Sequence, residues 1–160
     1  AGSFTVIGNF PYNISSQIFF KILGMRNRVP QVVGMVQKEV AERIASKHGN
    51  KNYGILSVIL QAFYDIEYLF TVEEYHFTPP PQVKSAVIRM TLNPEKKLHC
   101  DPDLFKQVIK MAFNQRRKTL RNSLKSYTFQ PEFKEDPIFN LRPEQLDVAQ
   151  FESICNHIIL

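Results

Sequence analysis

The sequence lacks the long apolar runs that would indicate a membrane protein. Among its 160 residues 44% are hydrophobic, yet uninterrupted apolar stretches extend over only a few residues. No transmembrane helix is therefore predicted. The first residues contain no basic segment followed by an apolar one, so we predict no signal peptide either.

Cysteine is scarce. Cys100 and Cys155 are the only two, and neither has His or Cys neighbours at the spacing of metal ligands. Two reduced thiols are typical of a cytosolic protein. We therefore predict a cytoplasmic protein without a metal site.

Acidic residues are absent from one part of a basic chain. The formal net charge is +5 and the pI is about 9.3, but residues 104–128 contain no Asp or Glu. The same stretch contains seven basic residues: Lys106, Lys110, Arg116, Arg117, Lys118, Arg121 and Lys125. This pattern is typical of a phosphate-binding surface. A solvated basic helix face is the alternative, although so many like charges repel one another without a polyanion.

Strand-like and helix-like segments alternate over the first part of the chain. Period-2 and apolar runs predict strands at 4–8, 32–36, 64–72 and 83–92. Helices are predicted after Asn13, which is the expected N-cap, and at 38–47. The apolar stretch 55–62 suits a helix or a strand, and we favour a helix. The alternation indicates a mostly parallel α/β sheet. The proline-rich loop before the last strand suggests an antiparallel hairpin that closes the sheet edge.

A boundary is predicted near Asn93-Pro94, beyond which no strand is evident. Asp101-Pro102-Asp103 predicts the start of a helix that runs to about Phe113. Further helices are predicted at 116–126, with Leu120 and Leu124 packing inward, and at 143–159. We therefore expect an α/β fold in residues 1–93 and a small all-α domain in residues 94–160.

Asn9, Phe10, Pro11 and Tyr12 follow the first predicted strand, at the sheet end where open α/β proteins bind ligands. Pro11 keeps Phe10 out of the helical region, so the Phe10 carbonyl is aimed rigidly. The Asn9 side chain adds a second acceptor, and Tyr12 adds a flat ring. Two acceptors beside a stacking ring suit an amino group on a planar base. An ordinary strand-to-helix turn is the alternative.

Five segments extend this pattern along the chain. In order they are NFPYNISSQIFFKIL, MVQKEVAERIASK, YGILSV, FTPPPQVKSAVIRM and AFNQRRKTLRNSL. Together they resemble the KsgA-type small-subunit ribosomal RNA adenine N6,N6-dimethyltransferases of bacteria, over nearly the whole chain. The later LRPEQLDVAQF also matches the family. The resemblance implies the C-terminal half of a Rossmann-like methyltransferase sheet, followed by a helical RNA-binding domain.

The resemblance also implies a reaction and a partner. The expected enzyme dimethylates N6 of two adjacent adenosines near the 3′ end of small-subunit (16S) rRNA during ribosome biogenesis. Its methyl donor is S-adenosylmethionine, and its partner is the pre-30S ribosomal particle. The seven basic residues of 104–128 would contact the RNA.

The resemblance assigns roles to single residues. The catalytic motif comprises Asn9, Phe10, Pro11 and Tyr12, in which Asn9 and the Phe10 carbonyl hold the N6 amino group and Tyr12 stacks on the base. Asn9 would also lie at the edge of the donor site. Phe77 corresponds to the aromatic residue that covers the other face of the base. Without the motif, Phe77 would be interpreted as a core phenylalanine.

Glycines are scattered along the chain. They are Gly2, Gly8, Gly24, Gly34, Gly49 and Gly54. No two of them form the glycine-rich turn that a methyl-donor site needs. The resemblance implies that the donor-binding elements lie upstream of the NFPY motif. We therefore expect a fragment that lacks the donor-binding half, is inactive alone, and associates through an uncovered sheet edge.

Two other functions stay open. The large-subunit rRNA methyltransferases that confer macrolide resistance share the Asn-x-Pro-Tyr core, although residues 113–124 favour the small-subunit type. A non-catalytic RNA-binding or ribosome-assembly module is the second alternative, because fold alone does not establish activity. The presence of Asn9, Tyr12 and Phe77 together favours a catalytic parent protein.

Overall fold

The computed structural model describes residues 2–160, and the chain divides into two compact units. The first unit comprises Ala1–Ala45 and Phe63–Lys96, and the second comprises Ser46–Ala62 and Lys97–Leu160. The later boundary lies close to the one expected from the sequence. Residues 46–62 nevertheless pack with the second unit. The division of function between residues 1–93 and 94–160 stays a prediction.

A four-stranded mixed sheet organises the first unit. Its strands are β1 (Thr5–Asn9), β2 (Gln31–Gln37), β3 (Tyr64–Val72) and β4 (Ser85–Leu92), in the order β1-β2-β4-β3. β1 and β2 are parallel, whereas β4 is antiparallel to both of its neighbours. The expected hairpin of β3 and β4 is confirmed. The expectation of a mostly parallel sheet is wrong for this part of the chain.

β4 lies inside the sheet instead of closing its edge. Ala86, Ile88 and Met90 are completely buried, which suits a central strand. β3 carries Asp65 and Glu67, and charged side chains are typical of an edge strand because they oppose further pairing. β3, the earlier strand of the hairpin, takes the outer position, which is compatible with these charges.

β1 is the other edge strand, and it is mostly exposed. Val6 is half-buried, and 78% of Ile7 is exposed. Its neighbour β2 is buried at alternate positions, including Val32 and Val36. The predicted strand at 4–8 is therefore confirmed in place, but its predicted burial is wrong, because no strand covers its outer side within the part of the chain described.

Two helices pack on this sheet. α1 (Ser15–Gly24) buries Phe19, Ile22 and Leu23, and α2 (Lys38–Ala45) buries Ala41 and Ile44. A single 3-10 turn, Tyr12–Ile14, precedes α1, and no side chain caps the helix. The predicted N-cap role of Asn13 is therefore wrong, because that turn moves the helix start beyond it.

The second unit is mainly helical. Its helices are α3 (Ile55–Gln61), α4 (Pro102–Asn114), α5 (Leu120–Ser123) and α6 (Val148–Asn156). α3, α4 and α6 contact one another in pairs around a core that includes Leu60, Ile109 and Phe151. α4 starts at Pro102, as predicted, and Asp101 caps it by accepting hydrogen bonds from the amides of Asp103 and Leu104.

Three details of this unit differ from the prediction. The expected helix at 116–126 is reduced to the four residues of α5. The expected helix at 143–159 is split into a 3-10 turn, Pro143–Gln145, and α6. Thr128–Phe129 (β5) and Ile158–Ile159 (β6) form an antiparallel pair, so the unit is not all-α. Strands of two residues are too short to show a period of two, and their pairing is a long-range contact.

Candidate functional site

A cavity of about 300 Å³ lies at the carboxyl end of β1. Its lining residues are Asn9, Phe10, Pro11, Tyr12, Phe77, Thr78, Pro79 and Pro81. The structure therefore brings the predicted motif at 9–12 together with Phe77, although the two are far apart in sequence. The proline loop supplies the rest of the wall, which sequence reasoning did not predict.

The backbone at the end of β1 has a fixed path. The Phe10 amide donates a hydrogen bond to the Met35 carbonyl at 2.9 Å, so pairing with β2 continues past the last residue of β1. Pro11 then has φ −57° and ψ 134°, which is extended rather than helical. The Pro11 carbonyl accepts a bond from the Ile14 amide at 3.3 Å, which closes the 3-10 turn. The chain thus leaves the strand in one defined direction, as Pro11 predicts.

The Phe10 side chain anchors this turn in the core. It is 5% exposed, and its ring centre lies 5.4 Å from that of Phe19. The ring also lies against Gly34 of β2, where an added Cβ would approach two ring carbons to 3.0 Å. The buried side chain therefore fixes the position of the Phe10 backbone, whose carbonyl is the group expected from the sequence to act as an acceptor. Gly34 was not identified from the sequence, although a glycine inside a strand often marks such a close approach.

Asn9 lies at the cavity wall and is exposed. Within residues 2–160, no hydrogen bond to another residue engages its side chain. Its amide therefore has both a donor and an acceptor available to a ligand.

A residue of β4 fixes the position of Tyr12. Its hydroxyl forms a hydrogen bond with the Ser85 hydroxyl, and Ser85 is completely buried. The Tyr12 carbonyl also accepts a bond from the Ser15 hydroxyl at 3.4 Å. The ring consequently has a fixed place beside Asn9. Sequence reasoning missed the role of Ser85, because the contact joins residues on two different elements.

Phe77 is positioned by a short turn. Residues Glu74–His76 form a 3-10 turn, and the Phe77 amide donates to the Glu74 carbonyl at 3.2 Å. Lys84 and Glu73 form an ion pair at 3.3 Å that joins the two ends of the loop. Phe77 is half-buried and lines the cavity, so it is not one of the buried core phenylalanines.

The predicted RNA-binding residues belong to four consecutive segments of the second unit. Lys106 and Lys110 lie on α4, and Arg121 on α5; Arg116, Arg117 and Lys118 lie between these helices, and Lys125 follows α5. Arg117 and Arg121 would share a face of the expected helix at 116–126. They do not share one in the structure, because α5 begins only at Leu120.

Burial separates these residues further. Arg116 donates to the Lys51 carbonyl at 2.6 Å and lies 5.6 Å from the centre of the Phe113 ring, so it is tied into its own unit. Lys110, Arg117, Lys118, Arg121 and Lys125 are exposed, whereas Lys106 and Arg116 are half-buried. Leu120 and Leu124 are buried, as predicted.

Cys100 and Cys155 are free thiols, and burial raises the pKa of both. Across residues 2–160, no group of three or more His, Cys, Asp or Glu is arranged to hold a metal ion. No helix in that range is both long and apolar enough to cross a membrane.

The sequence is similar to known proteins along almost its whole length. The family model for "Ribosomal RNA adenine dimethylase" matches residues 2–159. The protein named Ribosomal RNA small subunit methyltransferase A in Bacteroides thetaiotaomicron is 60% identical over 156 residues, which is 97% of this chain and 58% of that protein. Its namesake in Cytophaga hutchinsonii is 60% identical over 153 residues, or 96% and 59% of the two chains. The chain thus spans somewhat more than half the length of these relatives.

Solved structures show the same fold. A dimethyladenosine transferase from Plasmodium falciparum has a TM-score of 0.80 at 21% identity, covering 98% of this chain and 69% of that one. The 23S rRNA methyltransferase ErmE has a TM-score of 0.69 at 19% identity, with coverages of 98% and 66%. These likenesses confirm the expected α/β class and the Rossmann-like methyltransferase sheet.

Proposed function

The chain belongs to the ribosomal RNA adenine dimethylase family, and from this premise we propose that it forms the adenine-binding part of an enzyme that methylates N6 of adenosines in ribosomal RNA. One observation carries the proposal: Asn9, Tyr12 and Phe77 line a single cavity at the carboxyl end of β1. These residues supply the acceptor and the two aromatic rings that an adenine needs.

We propose small-subunit rRNA as the substrate. The relatives are named as small-subunit methyltransferases, which favours this substrate over large-subunit rRNA. The finer proposal is dimethylation of two adjacent adenosines near the 3′ end of that RNA, on the pre-30S particle in the cytoplasm. The family membership and the intact motif at 9–12 also favour an enzyme over a non-catalytic assembly module.

The two rings hold the base by its faces. We propose that the target adenine leaves its helix and lies between Tyr12 and Phe77. Leaving the stack costs a few kcal/mol. Stacking on aromatic side chains contributes about 1–3 kcal/mol per base, so it offsets much of that cost. The bond between Tyr12 and Ser85 keeps one ring in place before the base arrives.

The two acceptors hold the amino group. The Asn9 side-chain oxygen and the Phe10 carbonyl accept hydrogen bonds from the two N6 protons. Such bonds bias the nitrogen toward a pyramidal, more nucleophilic geometry, because its lone pair is otherwise delocalised into the ring. The contribution of these residues is thus mainly positioning, and it requires no strong general base.

S-adenosylmethionine, the donor that the family implies, supplies a methyl group on a positively charged sulfur. Residues 2–160 do not fit a complete donor site, because their glycines are dispersed and none forms a glycine-rich turn between a strand and a helix. Asn9 is the one residue that we propose for its edge. We therefore propose that this chain alone binds RNA without transferring methyl groups.

Two further surfaces are proposed to make contacts outside the base-binding cavity. We propose that the exposed cations Lys110, Arg117, Lys118, Arg121 and Lys125 bind RNA phosphates, together with the half-buried Lys106 and Arg116. We also propose that the chain associates through β1. This edge strand is exposed and carries no charged residue that would oppose pairing with another strand.

The test is Asn9→Ala in a complete enzyme that contains this chain. We expect methyl transfer to rRNA to be abolished while RNA binding persists, because the variant loses an acceptor but no charge. Asn13→Ala is the matched control, since Asn13 is exposed nearby and does not line the cavity. Normal turnover by Asn9→Ala would overturn the proposed role of this site.

A further inference from the structure

A second cavity, of about 340 Å³, lies within the second unit and shares no residue with the base-binding site. Leu120, Leu124, Phe129 and Phe139 line it and are each at most 7% exposed. The rings of Phe129 and Phe139 meet edge to face with centres 4.8 Å apart. The floor of the cavity is therefore apolar and partly aromatic.

Cations surround this floor. Arg121, Lys125 and Lys134 line the cavity and are exposed, against a single carboxylate, Glu135. The Arg121 guanidinium lies 5.8 Å from the centre of the Phe139 ring, which is within the range of a cation–π contact. One of its nitrogens donates to the Asn140 side chain at 3.4 Å. Arg121 is thus held beside the aromatic floor.

This combination differs from a plain basic surface. Phosphate contacts need only cations, whereas this site also offers an open cavity of ligand size with apolar residues at its floor. Proteins that recognise RNA commonly take unpaired bases out of their stack and place them on aromatic side chains. An acidic peptide would use the cations but would leave the aromatic floor without a partner.

We propose that this cavity binds one unpaired nucleotide of the RNA, with its base on the floor formed by Leu124, Phe129 and Phe139. Its phosphate lies against Arg121, Lys125 and Lys134. The inference rests on the proposed function only in taking RNA as the ligand. It assigns a role to Lys134, which lies outside the basic stretch of residues 104–128.

The test compares two RNA hairpins, one with a single-nucleotide bulge and one fully paired, by fluorescence polarisation with the full chain. Stacking of one base corresponds to about 5- to 150-fold tighter binding of the bulged hairpin. Thr128→Trp places a large ring in the cavity without changing the charge, because Thr128 lines it and is exposed. We expect this variant to lose the preference for the bulge and to bind the paired hairpin normally.

Two controls make the outcome specific. Thr91→Trp adds the same ring at an exposed position outside the cavity and should keep the preference. Lys134→Gln should weaken binding of the bulged hairpin more than binding of the paired one. Lys97→Gln makes the same change outside the cavity and should not have this selective effect. Lys134→Gln also provides a second test if Thr128→Trp fails to fold.

A preference for the bulge that survives both Thr128→Trp and Lys134→Gln would overturn the inference. The inference would also be overturned if an acidic peptide displaced the bulged hairpin as effectively as it displaced the paired one. Both outcomes leave the proposed function intact, because that function is tested by methyl transfer with Asn9→Ala. Conversely, normal activity of the Asn9→Ala enzyme would overturn the proposed function but would not bear on nucleotide binding in the cavity of the second unit.

Discussion

At the scale of single residues, Gly34 shows how a position outside the motif controls the site. It lies in the middle of β2, opposite Gly8 in the parallel pairing. The Phe10 ring fills the space that a side chain at position 34 would need. Phe10 in turn carries the carbonyl that we assign to the adenine amino group. A methyl group at position 34 would therefore displace the Phe10 ring and, with it, the Phe10 carbonyl at the base-binding cavity.

We predict that Gly34→Ala destabilises the protein and weakens adenine binding in the complete enzyme. Overpacking of this kind typically costs about 1–3 kcal/mol. The measurement is the urea midpoint of the chain, together with KM for rRNA. Gly24→Ala is the control, because a Cβ there meets nothing within 4 Å. Equal midpoints for the two variants would show that the Phe10 ring moves away at no cost.

Tyr64 is a second residue whose surroundings matter. It is completely buried at the start of β3, and its hydroxyl donates to the Val29 carbonyl at 2.8 Å. Burial raises the pKa of Tyr64 to about 12, although the nearby charge of Arg26 lowers it in part. The neutral phenol is therefore the form that the folded protein stabilises.

We predict that this residue makes stability fall at alkaline pH. A raised folded pKa means that the folded state binds more protons than the unfolded state between about pH 10 and 12. The contribution is therefore fully present below pH 10 and is lost as the pH rises toward 12. Urea unfolding from pH 8 to 11.5 measures it. The free energy of unfolding of the Tyr64→Phe variant should fall less steeply with pH. That of Tyr75→Phe, a change at an exposed ring, should fall as it does in the parent protein.

At the scale of elements, two aspartates begin two helices with different geometry. Asp147 accepts from the Gln150 amide at 2.8 Å, and the Gln150 side chain accepts from the Asp147 amide at 2.9 Å. This is a reciprocal capping box at the start of α6. Asp101 caps α4 through two bonds of 3.4 Å each, which are long for hydrogen bonds.

We predict that the loss of Asp147 costs more stability than the loss of Asp101. Removal of a well-formed cap costs about 1 kcal/mol, so Asp147→Ala should lower the free energy of unfolding by roughly that amount. Asp101→Ala should lower it less, because its bonds are longer. Chemical denaturation of the two variants measures the difference. The reverse order would show that bond length at the cap does not control its contribution.

At the scale of the whole molecule, the net charge of +5 is concentrated in one stretch of sequence. Residues 104–128 carry seven cations and no carboxylate, and they belong to the second unit. Binding of a polyanion to such a surface releases counterions, so its affinity falls as the salt concentration rises.

We predict that the double substitution Arg117→Glu with Arg121→Glu weakens RNA binding and flattens its salt dependence. The slope of log K against log salt should lose about 0.9 for each duplex phosphate contact that disappears. Titrations of the chain with rRNA fragments at several salt concentrations measure this slope. Lys21→Glu with Lys97→Glu makes the same charge change outside 104–128 and should alter the slope less. Equal slopes for the two double variants would contradict a localised RNA surface.

The sequence by itself determined the features that depend on neighbouring residues. The spacing of apolar side chains located α1, α2, α3 and α4, and Pro11 set the extended exit from β1. The Asp101-Pro102 start of α4 is another local signal, because a cap bonds only to the next turn. The motif at 9–12 was recognisable for the same reason, since its chemistry lies within four consecutive residues.

Only the tertiary structure decided which distant residues meet. It inserted β4 between β2 and β3, exposed β1, paired β5 with β6, and joined Tyr12 to Ser85 and Phe77 to the base cavity. The floor and cations of the second cavity also come from separate segments. These contacts follow from how whole elements pack and pair, and the energy of that packing is shared among residues that have no local pattern in common.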